Sequence, residues 1–499
     1  MDNTIIASNL SRQHLVVNEQ VDLVNSEIER TRPNEDSRPI TMREWVTVII
    51  LCFVNLINYM DRTTIAGVLP NIQSQFRKEN GALGLLQTAF IISYMLFAPL
   101  FGYLGDRYNR KVIMSSGVFI WSLTTFIGSY METYGTFIVF RMCVGIGEAS
   151  YSTIAPTIIS DLFVKDTRSK MLALFYFAIP VGSGLGYIIS GKIAQATGKW
   201  QWGLRVTPVF GIIAIVLILC LVKDPIRGEK EGGSHISSTS WIVDIKTLLS
   251  NPSFMLSTAG FTCVAFVTGA LALWAPKFLQ MGLALQETKT VVIDDVSFVF
   301  GIIAMLAGLI GVPLGSFMAQ KLRLIWHQAD PLICAVGLLV STPLIFFAVL
   351  TANSHSIICF FLIFFGQLAL NLTWSIVADI LLYVVIPTRR STAEAFQILV
   401  AHALGDAGSP YLIGLMSEGI RPLLTPTSPF SDHEDMLAQF RSLQYSLFLT
   451  VFVEVIGGLF FFLTALYIEK DKSMVDLSIA VHELISSMEL EPQVLGVNE

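Results

Sequence analysis

GLLQTAFIISYMLFAPLFGYLG (Gly84–Gly105) contains no charged residue, and DRYNRK (Asp106–Lys111) follows it directly. As an α-helix the uncharged stretch is about 33 Å long, at about 1.5 Å per residue. That matches a bilayer hydrocarbon core of about 30 Å. The abrupt change to charge reads as a helix leaving the membrane. Working outward, the chain offers further apolar runs near 45–68, 112–130, 136–160, 170–194 and 206–222. They continue near 254–279, 296–320, 331–350, 356–386, 393–417 and 443–468. Composition agrees: 53% of residues are hydrophobic and 14% charged, where soluble domains carry about 25% charged. The expected fold is an all-α membrane protein with twelve transmembrane helices in two pseudo-symmetric six-helix bundles.

Basic residues set the orientation. Fourteen Lys and Arg fall in one set of loops, including Arg107, Arg110, Lys111, Lys321, Arg323, Arg389 and Arg390. Seven fall in the opposite set: Arg77, Lys78, Lys199, Arg205, Lys289, Arg421 and Arg441. The first set is expected in the cytosol, together with both termini. Residues 1–44 read as a disordered cytosolic tail, with no cleavable signal peptide. An N-terminal six-helix bundle follows over 45–222, then a cytosolic linker over 223–253. A C-terminal bundle covers 254–468, and 469–499 form a cytosolic tail. Internal symmetry supports the halves. GYLGDRYNRK (Gly102–Lys111) follows the second run, and GSFMAQKLR (Gly315–Arg323) follows the eighth. Such paired halves with a site between them are a recurring transporter plan.

Several charges interrupt the apolar runs, where they are costly unless paired or hydrated. NYMDRTTIAGVLP (Asn58–Pro70) puts Asp61 and Arg62 in the first run, with Asn58 and Arg62 on one helical face. An alternative ends that helix earlier and leaves both charges at the interface. RMCVGIGEA (Arg141–Ala149) puts Arg141 and Glu148 on one face of the fourth run. Glu148 is placed there to exchange a proton; a fixed Glu–Arg pair is the other reading. His402 ionises near neutral pH by default, so it is a candidate pH sensor or a packing residue. Asp406 sits in GDAGSP, beside an expected helix break. Asp379 lies near the cytosolic end and suits a gate network. GSGLG (Gly182–Gly186) lies inside a run with no preceding strand, so it reads as helix packing rather than a nucleotide loop. No ATP-binding, catalytic or metal-ligand pattern is present, and no basic block suggests nucleic acid. The chain is expected not to be an enzyme and to need no cofactor.

GYLGDRYNRK is similar to the GxxxDRxxRK loop of the major facilitator superfamily. NYMDRTTIAGVLP, GIGEASYSTIAPT, AIPVGSGLGY, LRVTP, IPTRRSTAEAFQI and GDAGSPYLIG resemble the spinster family within it. The resemblance runs from about residue 45 to 470 and looks closest to the lysosomal lysophospholipid-transporting branch. It implies a proton-linked lysolipid transporter working by alternating access, with protons as coupling ion. Asp61, Glu148 and His402 are then expected to couple protons. Arg62, Arg141, Asn58, Thr63 and Asp406 are expected at the substrate cavity. Gly102, Asp106, Arg107, Arg110, Lys111, Asp379 and Arg389 are expected at the cytoplasmic gate. Thr63 departs from the family, whose members carry an aromatic residue after MDR, which leaves that position's cavity contact open. Lysophosphatidylcholine and lysophosphatidylethanolamine are the implied cargo, with sphingosine-1-phosphate as the alternative and a non-transporting receptor or scaffold as the second. The implied address is the lysosomal or late endosomal membrane, with the plasma membrane as alternative. A monomer among membrane lipids is expected.

Overall fold

The computed structural model describes residues 40–163, 165–225, 241–286, 293–386, 389–424 and 432–494. Among them the helices are α1 (Met42–Gly67), α2 (Leu69–Phe76), α3 (Asn80–Arg107), α4 (Arg110–Gly128), α5 (Tyr134–Leu162), α6 (Lys165–Thr197) and α7 (Gln201–Leu221). There follow α8 (Trp241–Leu249), α9 (Pro252–Ala284), α10 (Ile293–Leu322), α11 (Ala329–Thr351), α12 (Ser356–Asn371), α13 (Thr373–Val384) and α14 (Arg390–Ala401). A π-helical turn, His402–Asp406, leads to α15 (Gly408–Leu424), and α16 (Asp432–Val494) closes the chain.

Eleven spans are long and apolar enough to cross a membrane, with α12–α13 and α14–α15 each forming one. The twelfth is α5, 29 residues long, whose apolar character is diluted by Arg141, Glu148 and several hydroxyl residues. The twelve-helix fold read from the sequence therefore stands. Short polar residues start several spans. Thr41 and Glu44 form a capping box on α1. Asn109 accepts from the Lys111 and Val112 amides at the start of α4, and Asn251 caps α9 ahead of Pro252.

In the N-terminal half α1 packs on α6, and α5 packs on both α3 and α4. In the C-terminal half α9, α11 and α15 pack on α16. The halves meet where α6 crosses α10 and α3 crosses α15. Small residues permit both crossings. A Cβ at Gly184 would lie 2.6 Å from the Gly301 carbonyl oxygen, and one at Gly301 2.7 Å from that of Gly184. The glycines of GSGLG thus face neighbouring helices, as their packing role requires.

The bonds that join the halves among the described residues lie toward one end. They include Asn80 to Ser417, the Gly81 amide to Glu418, Thr88 to the Ala407 carbonyl, Tyr187 to the Ala272 carbonyl and Ser297 to the Gly67 carbonyl. This sealed end is opposite the face carrying Arg107, Arg110, Lys321 and Arg323, called here the basic face. At the basic face a Cβ at Gly102 would meet nothing within 4 Å, whereas one at Gly105 would meet Ile154 at 2.9 Å.

Three boundaries differ from the sequence reading. The 223–253 linker contains α8, and α9 already starts at Pro252; residues 226–240 lie outside the described residues. The tail expected from 469 continues α16 to Val494. Its Asp471 carboxylate accepts from the Ser253 amide at 2.9 Å, tying that helix to the start of α9. The expected tail over 1–44 falls outside the described residues up to position 39, and α1 begins at Met42.

Candidate transport site

Asp61 and Glu148 are both 0% exposed, inside the N-terminal bundle. Asp61 comes from α1 and Glu148 from α5, two helices in contact. A buried carboxylate needs donors or an opposite charge. Asp61 accepts from Thr207 of α7 at 2.5 Å and from Thr125 of α4 at 3.5 Å. An Arg141 Nη lies 3.5 Å from it. Glu148 accepts from the Arg62 Nε at 2.8 Å, while its other oxygen has no protein partner. The two acid–base pairs are thus crossed: each acid meets the arginine of the other's helix.

Rings complete the surroundings. The Arg62 guanidinium lies 4.9 Å from the Tyr59 ring centroid, 5.3 Å from Phe90 and 4.8 Å from Tyr94. Arg141 lies 5.1 Å from Phe90 on the other side. These faces stabilise cations in a low-dielectric setting. Asn58, also 0% exposed, has neither amide atom bonded to protein.

The C-terminal half faces this cluster through the π-helical turn. His402 Nδ1 lies 2.8 Å and 3.0 Å from the two Asp406 oxygens, and the His402 ring meets Tyr94 edge-on at 5.7 Å. The π-helical turn inserts one residue into the helical repeat, a device common at functional sites. His402 and Asp406 are about a quarter exposed, and Arg62 is 12% exposed. Together these three border the central space between the halves. Thr63 does not belong with them. Its hydroxyl donates to the Ser183 carbonyl at 2.8 Å, and a Cβ on Gly186 would collide with it. That side chain is committed to α1–α6 packing, a correction to its expected place on the cavity wall.

Residues 51–410 match the Major Facilitator Superfamily. The chain is 58% identical over 470 residues to Protein spinster of Drosophila melanogaster, which covers 86% of this chain and 78% of the relative. It is 50% identical over 448 residues to Protein spinster homolog 1 of Homo sapiens, covering 88% and 83%. The chain belongs to the spinster family. Its fold is shared with a bacterial homologue of the human lysosomal transporter spinster, solved inward-facing and unoccupied. That match has a TM-score of 0.73 at 22% identity and covers 87% of this chain and 99% of the other. A D-xylose–proton symporter shares the fold with a TM-score of 0.64 at 16% identity, over 84% and 97% of the two chains. This protein is therefore a spinster-family transporter and a multi-pass membrane protein.

At the basic face of this spinster chain, the expected gate residues divide. Arg110 is buried and its Nη1 donates to Asp161 at 2.5 Å, joining α4 to the end of α5. Arg107 is exposed and stacks over Tyr103 at 3.8 Å. Gly102 and Lys111 bracket this corner, and Arg389 sits one residue ahead of α14. Asp106 belongs to the last turn of α3, and its side chain lies outside the described residues. Asp379 accepts from Arg323 at 2.8 Å. Arg323 also donates to both oxygens of Asp330 at 2.7 Å, and Tyr383 donates to Asp330 at 2.8 Å. Partial burial opposes charge on Arg323, but its hydrogen bonds to the two carboxylates outweigh that and raise its pKa above the ordinary value.

Sequence reasoning missed Arg323, Asp330 and Tyr383 as a unit, and Thr125 and Thr207 as Asp61 partners. It also missed Lys277, which is 4% exposed in α9. The symmetric placement of Arg323 after the eighth run was the available signal for the first group. Hydroxyls within apolar helices carry no such signal.

Proposed function

We propose that this transporter moves lysophospholipids, such as lysophosphatidylcholine and lysophosphatidylethanolamine, by alternating access coupled to protons. The observation that carries the reading is the crossed pair of fully buried carboxylates, Asp61 and Glu148, each beside an arginine near the central space. In this reading both exchange protons, and Arg62 and Arg141 stabilise their charged forms. Arg62 reaches the central space and suits a lipid phosphate by its planar fork. His402 and Asp406 face it from the other half. The basic face is cytosolic, by its excess of Lys and Arg, and the sealed end faces the lumen. Protons leaving an acidic lumen would then drive the lipid to the cytosol. The solved bacterial relative is described as a homologue of the human lysosomal transporter spinster, which favours a lysosomal membrane.

Flux of lysophosphatidylcholine in liposomes, measured against an imposed pH gradient, tests this. Flux is expected to rise with acid on the sealed side. Asp61→Asn and Glu148→Gln are each expected to abolish the gradient dependence. Unchanged dependence in both variants overturns the coupling. Stronger competition by sphingosine-1-phosphate than by other lysolipids moves the cargo to that class.

A further inference from the structure

Lys277 lies in WAPKF (Trp274–Phe278) of α9 and is 4% exposed. Its ammonium donates to Gln73 Oε1 at 2.6 Å and Asn80 Oδ1 at 2.5 Å, and sits 5.5 Å from the Trp274 ring centroid. Gln73 belongs to α2 and Asn80 opens α3, so both acceptors are on the N-terminal half while the cation is on the C-terminal half. The bonds lie at the sealed end, next to those from Asn80 to Ser417 and from the Gly81 amide to Glu418.

No carboxylate is within ion-pair distance of this ammonium among the described residues. The acids nearby are engaged elsewhere: Glu418 accepts from the Gly81 amide, and Asp435 from Arg421 at 2.8 Å. The described ion pair joining the halves, Lys192–Asp295 at 2.9 Å, has side chains 42% and 61% exposed and is weakened by water and salt. Lys277 is different. A buried cation held by neutral amides gains charge-assisted hydrogen bonds without bringing a second full charge into the protein. When such bonds part, the amide oxygens and the ammonium are readily satisfied by water. This is a contact suited to being made and broken repeatedly.

We infer that Lys277 is the positioning residue that fastens the two halves at the sealed end, and that it releases Gln73 and Asn80 each time that end opens. It acts on the equilibrium between the two access states rather than on the cargo. The inference is independent of which lipid is carried and of proton coupling.

The test is a distance measurement by pulsed electron spin resonance in nanodiscs, without cargo or gradient. Genetically encoded spin-label amino acids at the exposed positions 79 and 419 report on opposite sides of the seal and leave the native cysteines in place. The parent protein supplies the reference distribution. Lys277→Met is expected to shift it toward longer distances, and the double change Gln73→Ala with Asn80→Ala is expected to give the same shift from the other side. Gln73→Glu, which turns the amide into an ion pair, is expected to retain the short distance and to slow transport. A parent-like distribution in both loosening variants overturns the inference, as does lengthening in Gln73→Glu.

Discussion

The two halves share a helical plan but hold their fully buried carboxylates, Asp61 and Glu148 against Glu454, differently. In the N-terminal half Asp61 and Glu148 each have an arginine at hand, and Asp61 has two threonine hydroxyls besides. In the C-terminal half Glu454 of α16 is equally buried at 0% exposure. It accepts from Ser341 at 3.0 Å, and its other oxygen has no protein partner. No cation pairs with it among the described residues. The difference separates two uses of an acid inside a membrane protein. One is set in a network whose charge can be compensated, and the other is a polar packing contact between α11 and α16.

Substitutions can break or sharpen that contrast. Arg141→Leu leaves Asp61 without its compensating charge and is expected to cost about 3–5 kcal/mol, as for other broken buried pairs. Thermal unfolding of the detergent-purified protein measures this, and a loss below about 1 kcal/mol would merge the two halves into one case. Thr207→Val removes a single bond to the same carboxylate and should cost about 1.5–3 kcal/mol, with Asp61 retained. Glu454→Gln keeps an oxygen to accept from Ser341, so it should cost only about 1 kcal/mol and lipid flux should be unaltered. A transport defect in that variant would give the C-terminal acid a functional standing like Glu148.

Twelve spans were legible because the bilayer imposes one length on every run, and because Asp61, Arg62, Arg141 and Glu148 visibly break the apolar pattern. Their crossed pairing was not legible. Spacing along one helix puts Arg141 and Glu148 on a shared face, yet each bonds across to α1. Thr63 was misplaced for a similar reason: one helix shows its own faces but not that Gly186 stands opposite. Arg323 follows the end of α10, Asp330 opens α11 and Asp379 lies in α13, with up to 56 residues between partners, so only the fold assembles them. Lys277 was passed over inside the run near 254–279. Its burial depends on α2, a short helix that the run pattern does not reveal.

The dilution of α5 has a consequence for how the protein is made. A charged residue at the centre of an inserting helix costs up to about 3 kcal/mol, and α5 carries Glu148 at its midpoint and Arg141 two turns before it, ahead of any pairing in the finished bundle. The segment holding half of the crossed charge network is thus the one least able to enter the bilayer unaided. Its neighbours α3 and α4, synthesised first, must shelter it. Biogenesis and the proposed proton exchange therefore press on the same 29 residues in opposite directions.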